Sequence, residues 1–155
     1  MALLRRGQAG QVPRRFSRRE KAMSCKSKIN TALTTPTTVL AGGAIPLGSI
    51  ICRFGCGMDV NGNGLTIREP GCYDIDVSVT VLPTEATPIT ATLMSDGVAV
   101  PGATATETPT AAGAAVNLSL LAPVRHFCNC GAETLTVILS AAGTVNNMAI
   151  VAERV

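Results

Sequence analysis

The chain is poor in aromatic residues: 155 residues contain no Trp, one Tyr and three Phe, although 46% of the sequence is apolar. Any core is therefore filled by small and β-branched side chains, which suit pleated strands better than helices. Charge is scarce too, at 15% of residues, and with this apolar content a wholly disordered, solvated chain is excluded. No run approaches the ~20 apolar residues of a membrane-spanning helix. The opening MALLRRGQAGQVPRRFSRREKAM is broken by Gly, Gln, Pro and Arg and lacks the apolar run of roughly 7–15 residues that a secretory signal needs. It shares an Arg-rich, acid-poor composition with organelle leaders, but no enzyme-like feature follows it. A single histidine, His126, argues against a small intracellular zinc- or sugar-binding domain of the cupin-like kind, which needs several His and Glu ligands.

Charge is segregated along the chain. Residues 1–28 hold nine basic residues and one acid, a net +8, whereas residues 29–155 hold four Arg and nine acids, a net −5. The first 28 residues show no periodicity that survives Gly7, Gly10 and Pro13, so they read as a flexible basic arm attached to a mildly acidic body. Met23 is an alternative start, in which case the arm is a leader without function. The remaining length fits one domain with a sizeable core.

From Ile29 onward, short runs are separated by Gly, Pro, Asn and Asp. Strands are expected near Asn30 to Leu33, Ile45 to Phe54, Leu65 to Arg68, Cys72 to Leu82, Ile89 to Ser95, Val98 to Thr104, Ala115 to His126, Thr134 to Ala141 and Met148 to Glu153. The clearest is in EPGCYDIDVSVTV, where Tyr73, Ile75, Val77, Val79 and Val81 alternate with polar residues and form one inward face. DVNGNGLT and SDGVAV place Asn-Gly and Asp-Gly where hairpins reverse. No segment has helical periodicity over ten or more positions, and eight or nine punctuated strands point to an all-β antiparallel sandwich or barrel. Leu121, Ile138 and Val151 fall on the phase opposite to their strands' core residues. This surplus implies a partly covered outer sheet face, for which a second subunit is the simplest cover.

The stretch GNGLTIREPGCYDIDVSVTV resembles the jelly-roll family of complement-type globular heads and tumour necrosis factor, including its small bacterial and phage members. Gly71, Tyr73, Ile75 and Val77 match the family's Gly-x-Tyr-x-apolar-x-apolar strand. NGNGLTI before it, ATLMSDGVAVPGA behind it and the closing NMAIVAERV are similar to neighbouring family elements. Positions 75 and 77, aromatic in the complement-type branch, are Ile and Val here, and no Gly-x-y repeat precedes the domain. The chain is thus closer to the aromatic-poor bacterial and phage members, some of which begin with an M-x-C-K-S stretch like Met23 to Ser27. The resemblance covers residues 29–155. It implies a homotrimer whose side-by-side contacts cover the surplus apolar face, and a role in display, adhesion or receptor binding rather than catalysis.

Six cysteines are the strongest chemical signal. Cys52 and Cys56 form one close pair and Cys128 and Cys130 another, with Cys25 and Cys72 apart. Four thiolates make a structural zinc site conceivable, although the spacings are not those of two-residue knuckles. Disulfides between strands, such as Cys52 with Cys128, compete with it, and reduced, buried thiols are the default without a secretion signal. His126 with Cys128 has no orienting acid nearby in sequence and reads as a surface or interface histidine. Asp74 and Asp76 read as a solvated polar face rather than as a calcium or acid/base pair. The arm residues Arg5, Arg6, Arg14, Arg15, Arg18, Arg19, Lys21, Lys26 and Lys28 suit an anionic partner, either nucleic acid phosphates or an acidic protein shell. The sequence reading is therefore a non-enzymatic, cofactor-free trimeric module of a phage virion, such as a head decoration or fibre protein. A spore-surface layer protein is the structural alternative.

Overall fold

The computed structural model describes residues 26–127 and 131–155. Its strands are β1 (Lys28–Leu33), β2 (Thr37–Val39), β3 (Ser49–Phe54), β4 (Met58–Asn61), β5 (Gly64–Ile67), β6 (Gly71–Pro83), β7 (Ile89–Ser95), β8 (Val98–Glu107), β9 (Val116–His126), β10 (Glu133–Leu139) and β11 (Gly143–Arg154). Among the described residues there is no helix, hence none long and apolar enough to cross a membrane. One sheet runs β3-β1-β11-β6-β9, with β2 also pairing β11, and the other runs β4-β5-β10-β7-β8. Every strand pair is antiparallel.

Alternation decides which side of each strand is inside. On β6, Tyr73, Ile75, Val79 and Val81 are fully buried and Val77 is 1% exposed, while Cys72, Asp74, Asp76 and Ser78 point out. The same period-two pattern buries Val116, Leu118, Leu120, Ala122 and Val124 on β9, and Leu135, Val137 and Leu139 on β10. These residues belong to one continuous aliphatic core between the sheets in which Tyr73 is the sole aromatic member. Burial of each Val, Leu or Ile contributes about 1.5–3 kcal/mol before ordering entropy is subtracted.

Glycine and turn chemistry place the reversals. Asp96 and Gly97, between β7 and β8, have φ of 46° and 82°, the pattern of a type I′ hairpin turn. Between β4 and β5, Asn61 pairs with Gly64 and Gly62 takes φ 60°.

The structure corrects several expectations. The expected strand from Ile45 to Phe54 is two pieces on two sheets. Ile45 donates its N–H to the Val137 carbonyl on β10 at 2.8 Å, and the chain then crosses to pair β3 with β1. Gly48 enables the crossing: its φ is +76°, and a Cβ there would stand 2.2 Å from the Ala32 carbonyl oxygen. The short strands β2 and β4 were not expected: β2 holds a single apolar residue, Val39, and β4 runs into the DVNGNGLT turn. The last strand begins five residues earlier than expected, because a bulge between Val145 and Asn147 shifts the phase by one residue, so that Val145 and Met148 both point inward. Ser27 and Lys28, expected in the arm, belong to the folded body. Ser27 is 1% exposed, its hydroxyl accepts the Gly57 N–H at 3.3 Å and its carbonyl accepts the Arg154 N–H at 2.9 Å. Lys28 is the first residue of β1, paired across the ladder with Glu153.

Two buried polar groups generate predictions. The Thr31 hydroxyl on β1 lies in the core with no hydrogen-bond partner. Thr31→Val is expected to stabilise the protein by about 1 kcal/mol or more, read from the denaturant midpoint; a loss of stability would show that the hydroxyl is bonded. Tyr73 donates its hydroxyl proton to the Glu69 carbonyl oxygen at 2.6 Å. Burial raises its pKa above 10.0, the Arg154 guanidinium opposes the rise, and the Glu69 and Glu133 carboxylates add to it. The folded state thus holds this proton where the unfolded state releases it, so the contribution of Tyr73 to stability is complete below pH 10.0 and declines as pH rises from there toward the folded value. Because Tyr73 is the only tyrosine and Trp is absent, phenolate absorbance reads this one group. Its midpoint is expected to be higher in the native protein than in denaturant, and equal midpoints would contradict the burial argument.

Candidate assembly face and interior polar latch

The outer face of the larger sheet follows from its register. Asn30 pairs with Cys52 and Val151, Val151 with Asp76, and Asp76 with Leu121, so these five residues form one row across the sheet. The adjacent row is Ser49, Ala32, Ala149, Ser78 and Ser119. With nothing larger than Ser in it, that row leaves the middle of the face flat. Leu121 is 67% exposed and Val151 half-buried, with the Asp76 carboxylate between them. Ile138, expected with them, belongs instead to the second sheet, opposite Thr92 and Ala44. The apolar surplus is therefore divided between two faces.

The two edge strands of the larger sheet, β3 and β9, both expose apolar side chains, and β9 runs beside β8 of the other sheet. All six residues of β3 are exposed, with Ile51 at 63% and Phe54 at 65%. A strand bare on both faces with one unpaired edge is a ready docking element. At the other edge, the outward side of β9 presents Leu121, Pro123 and Arg125, and Phe127 follows just past the strand end. The Arg125 guanidinium lies 4.7 Å from the Phe127 ring centroid, a cation–π distance. Arg53, Arg68, Arg154 and Lys28 each pair with a carboxylate; Arg125 forms no ion pair with a described residue, and neither do Asp74 and Asp76.

A polar latch closes the sandwich beside that edge. His126 Nδ1 lies 2.8 Å from Glu133 Oε2, and Ser95 donates its hydroxyl to Glu133 Oε1. The His126 and Glu133 side chains are 5% and 12% exposed. One carboxylate thus ties β9 of one sheet to β7 and β10 of the other. It sits between the serine and the imidazole, so the hydroxyl is not placed on a base as a nucleophile requires. His126 is accordingly not the surface residue the sequence led us to expect. The signal was available in phase: His126 continues the inward set Ala122 and Val124, Glu133 continues Leu135, and Ser95 continues Ala91 and Leu93. A shallow groove of about 290 Å³ beside the latch is lined by residues including Val98, Pro101, Pro123 and Arg125.

Only part of the expected cysteine set lies among the described residues. Cys52 on β3 and Cys72 on β6 are exposed free thiols, not buried ones, because Cys52 lies on the bare edge strand and Cys72 on the outward phase of β6. Cys56 follows β3, its thiol 3.6 Å from Glu69 Oε1. Cys128 and Cys130 lie outside the described residues, and among the described residues no three metal-ligating side chains are grouped. Arg5, Arg6, Arg14, Arg15, Arg18, Arg19 and Lys21 also lie outside the described residues. Lys26 is exposed, and Lys28 lies 3.7 Å from Glu153 on the protein's own surface.

The latch carries its own test. Glu133→Ala removes the acceptor shared by the buried His126 and the half-buried Ser95 and is expected to cost about 1–3 kcal/mol in urea unfolding, whereas Glu85→Ala, at an exposed loop position, is expected to stay within about 0.5 kcal/mol of the parent. Equal effects would show that the latch contributes nothing.

No family model matches the chain, and no curated protein matches it. Solved structures do. Murine APRIL at pH 8.0 superposes with a TM-score of 0.67 at 10% identity, over 84% of this chain and 99% of that one. The globular domain of the zebrafish complement 1qA protein gives 0.61 at 8% identity, over 83% and 95%. The PRD1 vertex protein P5 gives 0.56 at 11% identity, over 84% and 98%. The chain therefore has the all-β jelly-roll sandwich of tumour-necrosis-factor-type ligands and complement globular heads.

Proposed function

We propose that the protein is a non-enzymatic structural module that works as a homotrimer in assembly or surface display, as a phage virion component such as a head decoration or fibre protein. The observation that carries this reading is the outer surface of the larger sheet: Ile51 and Phe54 exposed at one edge, Leu121 and Phe127 at the other, and a flat row of Ser and Ala between. Such a surface suits contact between copies. In a cyclic assembly each copy offers one patch of this surface to its neighbour and receives the neighbour on a different patch, whereas a twofold contact pairs a patch with itself. A particle role is supported by the fold shared with a protein named for its place at a vertex. The nine basic residues before Ile29 suit an acidic capsid or surface-layer protein, and nucleic acid more weakly, since only Phe16 is interleaved with them.

Full-length protein is expected to show three times the mass of the chain by light scattering at micromolar concentration, and a monomer there would overturn the trimer. Mass spectrometry of particles purified from the producing culture is expected to find the protein in virions; its restriction to spores or to soluble lysate would overturn the virion reading.

A further inference from the structure

The charges on the larger sheet's outer surface are complementary between its edge and its face. At the β9 edge stands Arg125, exposed, held over the Phe127 ring and flanked by Pro123. On the face stand Asp74 and Asp76, both exposed and without a described basic partner. Asp76 is the critical one, because its row neighbours are Val151 and Leu121, the apolar residues that a second copy would cover. Covering an isolated carboxylate with protein costs several kcal/mol unless a counter-charge arrives with the cover. A twofold contact between β9 edges pairs the two edges with each other and brings no counter-charge to Asp76 on the face. A contact of the edge of one copy with the face of the next brings guanidinium to carboxylate and Leu121 and Phe127 to the flat row of Ser and Ala.

We propose that Arg125, preorganised by stacking on Phe127, is the anchor of the interface between copies and pairs with Asp76 on the outer face of the neighbouring copy. The inference rests on the homotrimer reading and gives it a partner residue. Arg on an aromatic ring keeps its planar donor face free for a carboxylate, and part of the ordering entropy is already spent before association. Desolvated charge pairs of this kind set which surfaces meet and how fast they separate.

Charge reversal tests it in the full-length protein, with assembly followed by sedimentation over a dilution series and folding checked by far-ultraviolet circular dichroism. Arg125→Glu and Asp76→Arg are each expected to raise the concentration at which trimers dissociate by at least about tenfold. The double variant, which restores opposite charges at all three contacts, is expected to return close to the parent. A mixture of the two single variants is expected to recover less, since any ring of three containing both places two identical copies side by side. If a reversal impairs folding, the milder cycle of Arg125→Ala, Asp76→Asn and their combination is expected to be non-additive. A parent protein that is monomeric overturns the trimer reading itself. A trimeric parent whose assembly ignores Arg125→Glu, or a double variant no better than the singles, overturns the pairing alone.

Discussion

The registers of β6 with β11 and with β9, eleven residue pairs each, keep the two faces of the larger sheet chemically distinct. Side chains alternate with period two, so a slip of one residue would turn Val77 and Val79 outward and drive Asp76 and Ser78 into the core. The cost of burying an unpaired carboxylate together with the loss of aliphatic burial makes such a slip untenable. The rest of the molecule depends on this separation. It fixes the row in which Asp76 lies between Val151 and Leu121, the flatness of the Ser and Ala row beside it, and the inward phase that delivers His126 to Glu133.

A core with so few aromatic residues has a further consequence. Aliphatic side chains fill the sandwich, and the groove by Pro101 and Arg125 is open. The larger sheet offers another molecule the apolar side chains of its two edge strands and the face between them. Interfaces draw on exposed aromatic residues and arginine in particular, and on the larger sheet these are Arg53, Phe54 and Arg125, with Phe127 just past the end of β9. The His126–Glu133–Ser95 latch ties the two sheets together beside the β9 edge.

Most of the architecture was legible in the sequence because alternation and turn residues are local signals. The run from Tyr73 to Val81 defined both faces of β6, and Asp-Gly at positions 96 and 97 marked its hairpin. What was not legible is non-local. Gly48 could not be seen to carry the chain from one sheet to the other, because its need for glycine comes from the Ala32 carbonyl on another strand. The extra residue at Asn146 hid the first half of β11, since a bulge looks like lost periodicity in sequence. The latch was missed because His126, Glu133 and Ser95 come from three strands, and only their shared inward phase links them. The exposure of Cys52 likewise depends on β3 lying at a sheet edge, which is set by strand order rather than by its own residues.

In the proposed assembly, another copy of the chain covers the β9 edge of the larger sheet. Hydroxyl-radical footprinting of the full-length protein, resolved by mass spectrometry, tests it at the residues concerned. The account predicts that Leu121 and Phe127 are protected at concentrations where the protein is assembled and become reactive on dilution. Equal reactivity of both residues at every concentration would contradict it.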